Sequence, residues 1–328
     1  MKGSHYIFAL YHSPFQLSIV SIPIILHDTT IIILMVQVSD HCLPPGGSVI
    51  AVNPLGGGGK AMSVCNSLVL PILRKANVNF EVRRTHRAGH AFAIASSDNE
   101  LLSFDGLLTI SGDGMVHEII NGLLRRCNGS YKELHRISTT LPLCVIPAGT
   151  MNGVSTSLGA RTPHQALLNL IKCKSARFID AYAATTVSGK SYVDVHAFSC
   201  AITADHDELM ERTLRWMRFS SLRSAIAPII VIAKNRAYRA RIFVRAAPLN
   251  AGDRARYAVN DADKLKRSNP PASLVKHEGD EAQADWRVLE GPILMACILN
   301  LKHASHDVVS DIMIVVITGI SGSVFTIQ

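Results

Sequence analysis

Three glycine-bearing turns hold the residues whose types and spacing could do chemistry. In the first, Asn53-Pro54-Leu55-Gly56-Gly57-Gly58-Gly59-Lys60, four successive glycines stand between a short apolar run and a helical pattern. Backbone without side chains can approach a phosphate closely, and the free N–H groups that open a helix point at the anion. A tight flexible turn would use the same residues, but the slot between strand and helix favours phosphate binding. Two familiar phosphate loops do not fit. A Walker loop needs Ser or Thr after its lysine, and Lys60 is followed by Ala61. A dinucleotide fingerprint needs Gly or Ala at Met62 and an acid closing the next strand, which here closes in Arg83-Arg84.

The second turn is Ser111-Gly112-Asp113-Gly114. An aspartate flanked by glycines at a strand end can project into a crevice, so Asp113 is the candidate general base; in isolation the same pattern is more often a turn or a helix cap. The third turn, Pro147-Ala148-Gly149-Thr150-Met151-Asn152-Gly153, adds another glycine loop to the same crevice.

The elements that must position these turns are legible from residue 41 onward, after the breaker cluster Leu43-Pro44-Pro45-Gly46-Gly47. Ser48–Val52, Asn79–Arg84, Gly106–Ile110 and Leu143–Ile146 read as strands, and Ala61–Lys75, His90–Ser97 and Met115 to about Arg125 as helices. In the last helix Val116, Ile119, Ile120, Leu123 and Leu124 form one apolar face. Strands alternating with helices imply a parallel sheet covered on both faces, with ligands beyond the strands' carboxyl ends. Beyond Ser175 the texture turns to β-rich runs, Phe178–Ala183, Tyr192–Ala197, Arg241–Val244 and Pro292–Leu299, with one helical, arginine-rich stretch from Asp207 to Arg223. The expected fold class is α/β: a parallel-sheet α/β domain over 41–175, then a β-rich antiparallel domain over 176–328 with an exposed polar loop at about 251–285.

Residues 1–40 form a hydrophobic extension. Phe15–Val38 is long enough to span a bilayer, but Pro23, His27, Asp28, Thr29 and Thr30 split it, and a central charge costs roughly 2.5–3.5 kcal/mol on insertion scales. A transmembrane anchor is therefore disfavoured. Two buried β-rich segments or a membrane-surface anchor both remain open. A cleaved signal peptide is weaker still, because Lys2 is the only early charge and His12 and Pro14 interrupt the apolar run.

Composition sets the broad class. With 48% hydrophobic and 18% charged residues the chain is globular rather than disordered. A net charge of +8 and pI near 9.2 suggest anionic partners: phosphorylated ligands, acidic lipid or nucleic acid. Aromatic content of 6% without basic–aromatic interleaving sets nucleic acid aside. The 7 cysteines are odd in number and scattered, with no C-x-x-C pair, which favours a reducing, cytoplasmic setting. His117-Glu118 opens like a zinc-protease helix, but the fifth position is Asn121, so the metal reading fails there.

The ordered set NPLGGGGKA, THRAGHA, SGDGMVHEIINGLLRR and IPAGTMNG, continuing through FSCAITADHDELMERTLRWMRF and KNRAYRARIFV, resembles the lipid kinases that share the diacylglycerol kinase catalytic domain, and within them the sphingosine kinases. The likeness runs from about Val49 to Val244, and weakly from Pro292 to Asp311. It implies ATP and Mg²⁺ as cofactors and transfer of the γ-phosphate to the primary hydroxyl of a sphingoid base. Positions similar to the family's nucleotide contacts are Asn53, Pro54, Leu55, Thr85, His86, Arg87, Ala88, Gly89, Glu118, Gly149, Thr150 and Met151. Arg212 and Arg218 match arginines that meet the phosphates, and Ser111, Gly112, Asp113 and Gly114 would face the lipid head group with Asp113 taking the hydroxyl proton. Asp207 matches the carboxylate that pairs with the sphingoid amino group, whereas Asp205 reads as a local turn former. Peripheral contact with an acidic membrane is the expected partner surface.

The chain departs from the pattern in three places. Met151 and Ala201 replace usual glycines, which predicts crowding of the nucleotide pocket at the first and backbone strain at the second if its φ is positive. The family's late Asp-Gly-Glu motif is missing in its usual order; Gly279-Asp280-Glu281 precedes Pro292 and carries no such role. The alternatives are thus a diacylglycerol or ceramide kinase of the same fold, or a non-catalytic lipid-binding pseudokinase.

Overall fold

The computed structural model describes residues 8–10, 20–22, 24–25, 30–31, 47–54, 56–172, 179–185, 190–214, 217, 220–234, 238–245, 266–267, 286–301, 313–318 and 324–327. Four parallel strands form the first sheet: β1 (Ser48–Val52), β2 (Phe80–Arg84), β3 (Gly106–Ser111) and β4 (Leu143–Pro147), in the order β2-β1-β3-β4. Val52 lies beside both Arg84 and Ile110, and Ser111 beside Pro147, so all four strands end at one edge. Every residue of β1, β3 and β4 is buried, as expected of apolar runs covered on both faces, while β2 is partly open along its length.

The connecting helices are α1 (residues 60–75, with a π-type turn at Cys65–Val69), α2 (His90–Ser97), α3 (Asp113–Arg126), α4 (Tyr131–Thr140), α5 (Gly153–Ser157) and α6 (Pro163–Lys172). The last three have no counterpart in the sequence reading, yet two carry local start signals. Ser130 Oγ accepts from Glu133 N at 3.3 Å. Thr162 Oγ1 accepts from Gln165 N at 3.2 Å while Gln165 Oε1 accepts from Thr162 N at 3.1 Å, a reciprocal capping box with Pro163 at the first helical position.

Antiparallel pairing takes over afterwards, as expected. β5 (Tyr182–Thr185) pairs with β6 (Ser191–Asp194). β7 (Ala197–Ala201), β8 (Tyr238–Arg245) and β10 (Met313–Thr318) all pair with the long β9 (Trp286–Leu299), and β11 (Val324–Ile327) pairs with β10. The helical stretch expected from Asp207 to Arg223 is corrected to two helices. α7 begins earlier, at Ile202–Glu208 and Leu209–Thr213, and α8 spans Ser220–Ala233; Leu209, Leu214, Ala227 and Val231 bury one against the other. The expected loop at 251–285 lies outside the described residues except for Lys266–Arg267, a short strand on β9.

The described parts of the hydrophobic extension are strands. Ile24–Ile25 pairs with β5 and Thr30–Ile31 with Ile179–Asp180. Among the described residues no helix is long and apolar enough to cross a membrane.

The first core extends past its own sheet, taking in Val193 and Val195 at β6 and Leu301 beyond β9. At the start of α7, Ala201 has φ 66° and ψ −125°, a conformation suited to glycine. The strain expected at this position is therefore present. Ala201→Gly is expected to raise stability by about 1–2 kcal/mol, read as a higher urea midpoint at unchanged m-value.

Candidate active site

The three glycine turns meet backbone to backbone at the carboxyl edge of the parallel sheet. A Cβ added to Gly57, whose φ is +58°, would lie 2.2 Å from the carbonyl oxygen of Ala148. One added to Gly149 would lie 2.3 Å from Gly112 Cα, and one on Gly112 would lie 3.1 Å from Gly149 Cα. Gly57 and Gly149 thus stand where a side chain would collide with backbone, and Gly112 where one would be tight. Asn152, itself in the left-handed region at φ 54°, clamps the third loop: its Oδ1 accepts from Gly149 N and its Nδ2 donates to Gly149 O, both at 2.8 Å. Sequence reasoning had passed over Asn152, although an Asn three residues after a loop glycine is a turn-forming signal.

Helix α3 is the shaft that holds the site, through two stripes at spacing four. On one, Asp113 reaches α5: its Oδ2 accepts from Gly153 N at 2.9 Å and its Oδ1 from Val154 N at 3.0 Å. Next along it, His117 Nδ1 lies 2.7 Å from Asp194 Oδ2 on β6. Asn121 then makes both bonds a strand neighbour would make with Val193, donating through Nδ2 to its O at 2.8 Å and accepting from its N at 2.9 Å.

The second stripe grips α2 at both ends. Glu118 accepts from Gly89 N at 2.9 Å and Ala91 N at 3.2 Å, and Arg126 donates to Ala95 O at 2.8 Å and Asp98 O at 2.5 Å. Negative charge at a helix start and positive charge at its end both suit the helix dipole. Between them a Cβ on Gly122 would lie 2.6 Å from both Ala95 Cβ and Phe92 O, so glycine is what lets the two helices touch.

Of the candidate site residues, Ser111 ends β3, Gly112 follows it, Asp113 and Gly114 open α3, and Gly149 and Thr150 lie on the adjoining third loop. Asn53 and Pro54 follow β1 at the same edge, with Gly56 N donating to Asn53 O at 2.9 Å. Leu55 and Arg218 lie outside the described residues. Thr85 is buried and turned into the protein, its N and Oγ1 donating to Val52 O at 2.8 and 3.3 Å. His86, Arg87 and Ala88 are exposed at the end of β2, and the His86 ring stacks on His90 at 5.3 Å. Each oxygen of Glu118 accepts one N–H at the start of α2, so this carboxylate also shapes the Thr85–Gly89 turn. Met151 is 54% exposed, and it is not among the described residues with positive φ, so its side chain opens to solvent instead of wedging between the loops.

In the second region Asp207 is exposed at 72% of its side chain, with His206 Nδ1 at 3.2 Å from its Oδ1. Arg212 is exposed and donates to Glu208 Oε1 at 2.7 Å, one turn back on α7. Asp205, expected to form only a local turn, instead ties α7 to β8 by accepting from the Tyr238 hydroxyl at 2.6 Å. Burial pushes the Cys200 thiol up to about 12 and Cys297 to about 11, the latter helped by the Asp207 charge, so both are poor nucleophiles. His117 is raised chiefly by its hydrogen bond to Asp194, against the opposing effect of burial.

Residues 48–183 match the diacylglycerol kinase catalytic domain. Curated relatives include sphingosine kinases and a sphingoid long-chain bases kinase. The chain is 28% identical over 269 residues to sphingosine kinase 1 of Rattus norvegicus, covering 79% of this chain and 66% of that protein. It is 29% identical over 203 residues to sphingosine kinase 1 of Homo sapiens, covering 59% and 50%. To sphingoid long-chain bases kinase 1 of Arabidopsis thaliana it is 38% identical over 133 residues, covering 40% and 17%. The chain therefore spans less than two thirds of the length of each of these relatives.

Proposed function

We propose that the chain is an ATP-dependent lipid kinase that transfers the γ-phosphate to the primary hydroxyl of sphingosine or a related sphingoid base. One observation carries this reading: the three glycine loops converge at the strand carboxyl ends around Asp113. Phosphoryl transfer asks mainly for positioning and charge stabilisation, with a carboxylate to orient the attacking hydroxyl.

Gly57, Gly112 and Gly149 let the three loops close backbone to backbone, while Gly58, Gly59 and Gly114, where an added Cβ would meet nothing within 4 Å, leave backbone open to a nucleotide's phosphates, so the loops fit ATP. Each oxygen of Asp113 spends one acceptor site on a backbone N–H and keeps another for a substrate hydroxyl. The two amide bonds also fix the carboxylate's direction before substrate arrives. Among the described residues no group of three or more His, Cys, Asp or Glu side chains could hold a metal ion, so no residue here is assigned to Mg²⁺. Held mostly by nucleotide phosphates and water, Mg²⁺ would supply charge neutralisation across the phosphates.

Asp207 supports an amino-bearing lipid. In water an exposed ion pair is worth little, but a desolvated, charge-assisted contact with the ammonium is worth about 1.5–3 kcal/mol. Asp207→Asn is expected to raise KM for sphingosine about tenfold or more while leaving KM for ATP unchanged. Equal KM values for sphingosine in both proteins would favour a diacylglycerol or ceramide kinase. The net charge of +8, with the exposed apolar side chains of Leu222, Ile229 and Ile232 on α8, supports peripheral contact with an acidic membrane.

A further inference from the structure

We propose that His117 and Asn121 are positioning residues, a latch that ties α3 to β6 and thereby fixes Asp113 at the point of phosphoryl transfer. The inference rests on the kinase reading for its catalytic consequence, but the latch itself is a matter of geometry. Asp113, His117 and Asn121 follow one another at spacing four, so they share one side of a helix that rises about 1.5 Å per residue. Two of them grip β6 and the third grips the loop that opens α5.

The contacts are specific to these side chains. Asn121 is 8% exposed and its amide supplies one donor and one acceptor to Val193, a pairing that neither Asp nor an apolar residue reproduces. Asp194 is held in turn: its Oδ1 accepts from Val195 N at 2.6 Å and His196 N at 3.1 Å, which leaves Oδ2 directed at His117. The groups facing His117 are Asp194 and the Tyr192 ring from β6, the latter at 6.4 Å, with Glu118 and Asn121 from its own helix. Because the other side of α3 grips α2 at both ends, α2 and α3 form one unit. Its seat on β6 sets where Asp113 stands relative to the region that carries Asp207.

The latch has a pH signature. His117 is raised above its ordinary value by Asp194, so its charged contact is fully present at low pH and is lost as pH rises through the folded-state value. Turnover in the wild type is expected to step down across that rise. Asp194→Asn moves the His117 step to lower pH; a merely structural residue would leave the profile where it was.

The test compares wild type, Asn121→Asp and Asp194→Asn in the full chain, by amide hydrogen exchange without ligand and by kinetics with ATP and sphingosine. In both variants the Gly153 and Val154 amides are expected to exchange about tenfold faster, while Leu108 and Ile110 in β3 do not change. The kcat falls by a similar factor with KM for ATP within about twofold. Unchanged protection at Gly153 and Val154 in folded variants overturns the latch. If Asn121→Asp does not fold, the near-isosteric Asp194→Asn decides alone. A wild type without kinase activity would refute the kinase reading, and the exchange measurement would still settle the latch.

Discussion

Asp113→Asn is expected to lower kcat for phosphoryl transfer by about 10²–10⁴-fold, the range typical for loss of a positioned acid or base. ATP affinity should hold within a few-fold, because the glycine loops and not this carboxylate form the phosphate cradle. The substitution preserves shape but leaves a single acceptor oxygen where Gly153 N and Val154 N each now have one. One of those N–H groups loses its partner, at a cost of about 1–3 kcal/mol. A matched measurement of kcat, ATP affinity and urea midpoint separates the two roles. A large fall in kcat with a modest fall in stability is the expected pattern; loss of both in proportion would mean that Asp113 serves only to cap α5.

Gly149→Ala is expected to be almost as severe, for a different reason. Its Cβ would lie 2.3 Å from Gly112 Cα and 2.8 Å from Gly112 N, both backbone atoms that cannot rotate away. The second and third loops must separate, and a shift of about 1 Å at a reacting centre can cost about 10²-fold in rate. Overpacking of this kind costs about 1–3 kcal/mol of stability. Calorimetric titration with ATP should show weakened or abolished binding, whereas Gly129→Ala, on the turn after α3 with nothing within 4 Å of the added Cβ, should leave binding intact apart from strain at its φ of +79°.

The sheet was legible because three of its four strands are buried on both faces, so β1, β3 and β4 read as apolar runs bounded by glycine turns. The turns themselves were legible because glycine is required where backbone meets backbone. Helices α4 and α6 were not read, despite the Ser130–Glu133 and Thr162–Gln165 caps and a buried apolar face on each, because segments this short give an apolar period fewer than three turns in which to show. The spacing of Asp113, His117 and Asn121, and of Glu118, Gly122 and Arg126, is plain in the sequence. Their partners are not. Glu118 meets Gly89 across 29 positions and His117 meets Asp194 across 77, contacts that only tertiary packing supplies. For the same reason the bonds from Glu118 to the start of α2 were not legible, and Asp205 read as a turn former turns out to bridge α7 and β8.

Departures from the family pattern behave differently from one another in the structure. Met151 sits on ordinary backbone and opens to solvent, whereas Ala201 occupies a glycine-like conformation and stores strain beside the helix that carries Asp207. The first departure leaves the loop contacts intact. The second makes Ala201→Gly the simplest way to stabilise the start of α7.

The most direct test of the account is transfer of radiolabelled phosphate from [γ-³²P]ATP to sphingosine by the purified chain, with the fold verified by circular dichroism and Asp113→Asn run in parallel. The account predicts a labelled, organic-extractable sphingoid phosphate from the wild type and little or none from the variant. A folded wild-type protein that labels no long-chain base, or a variant that labels sphingosine as fast as the wild type, would contradict it.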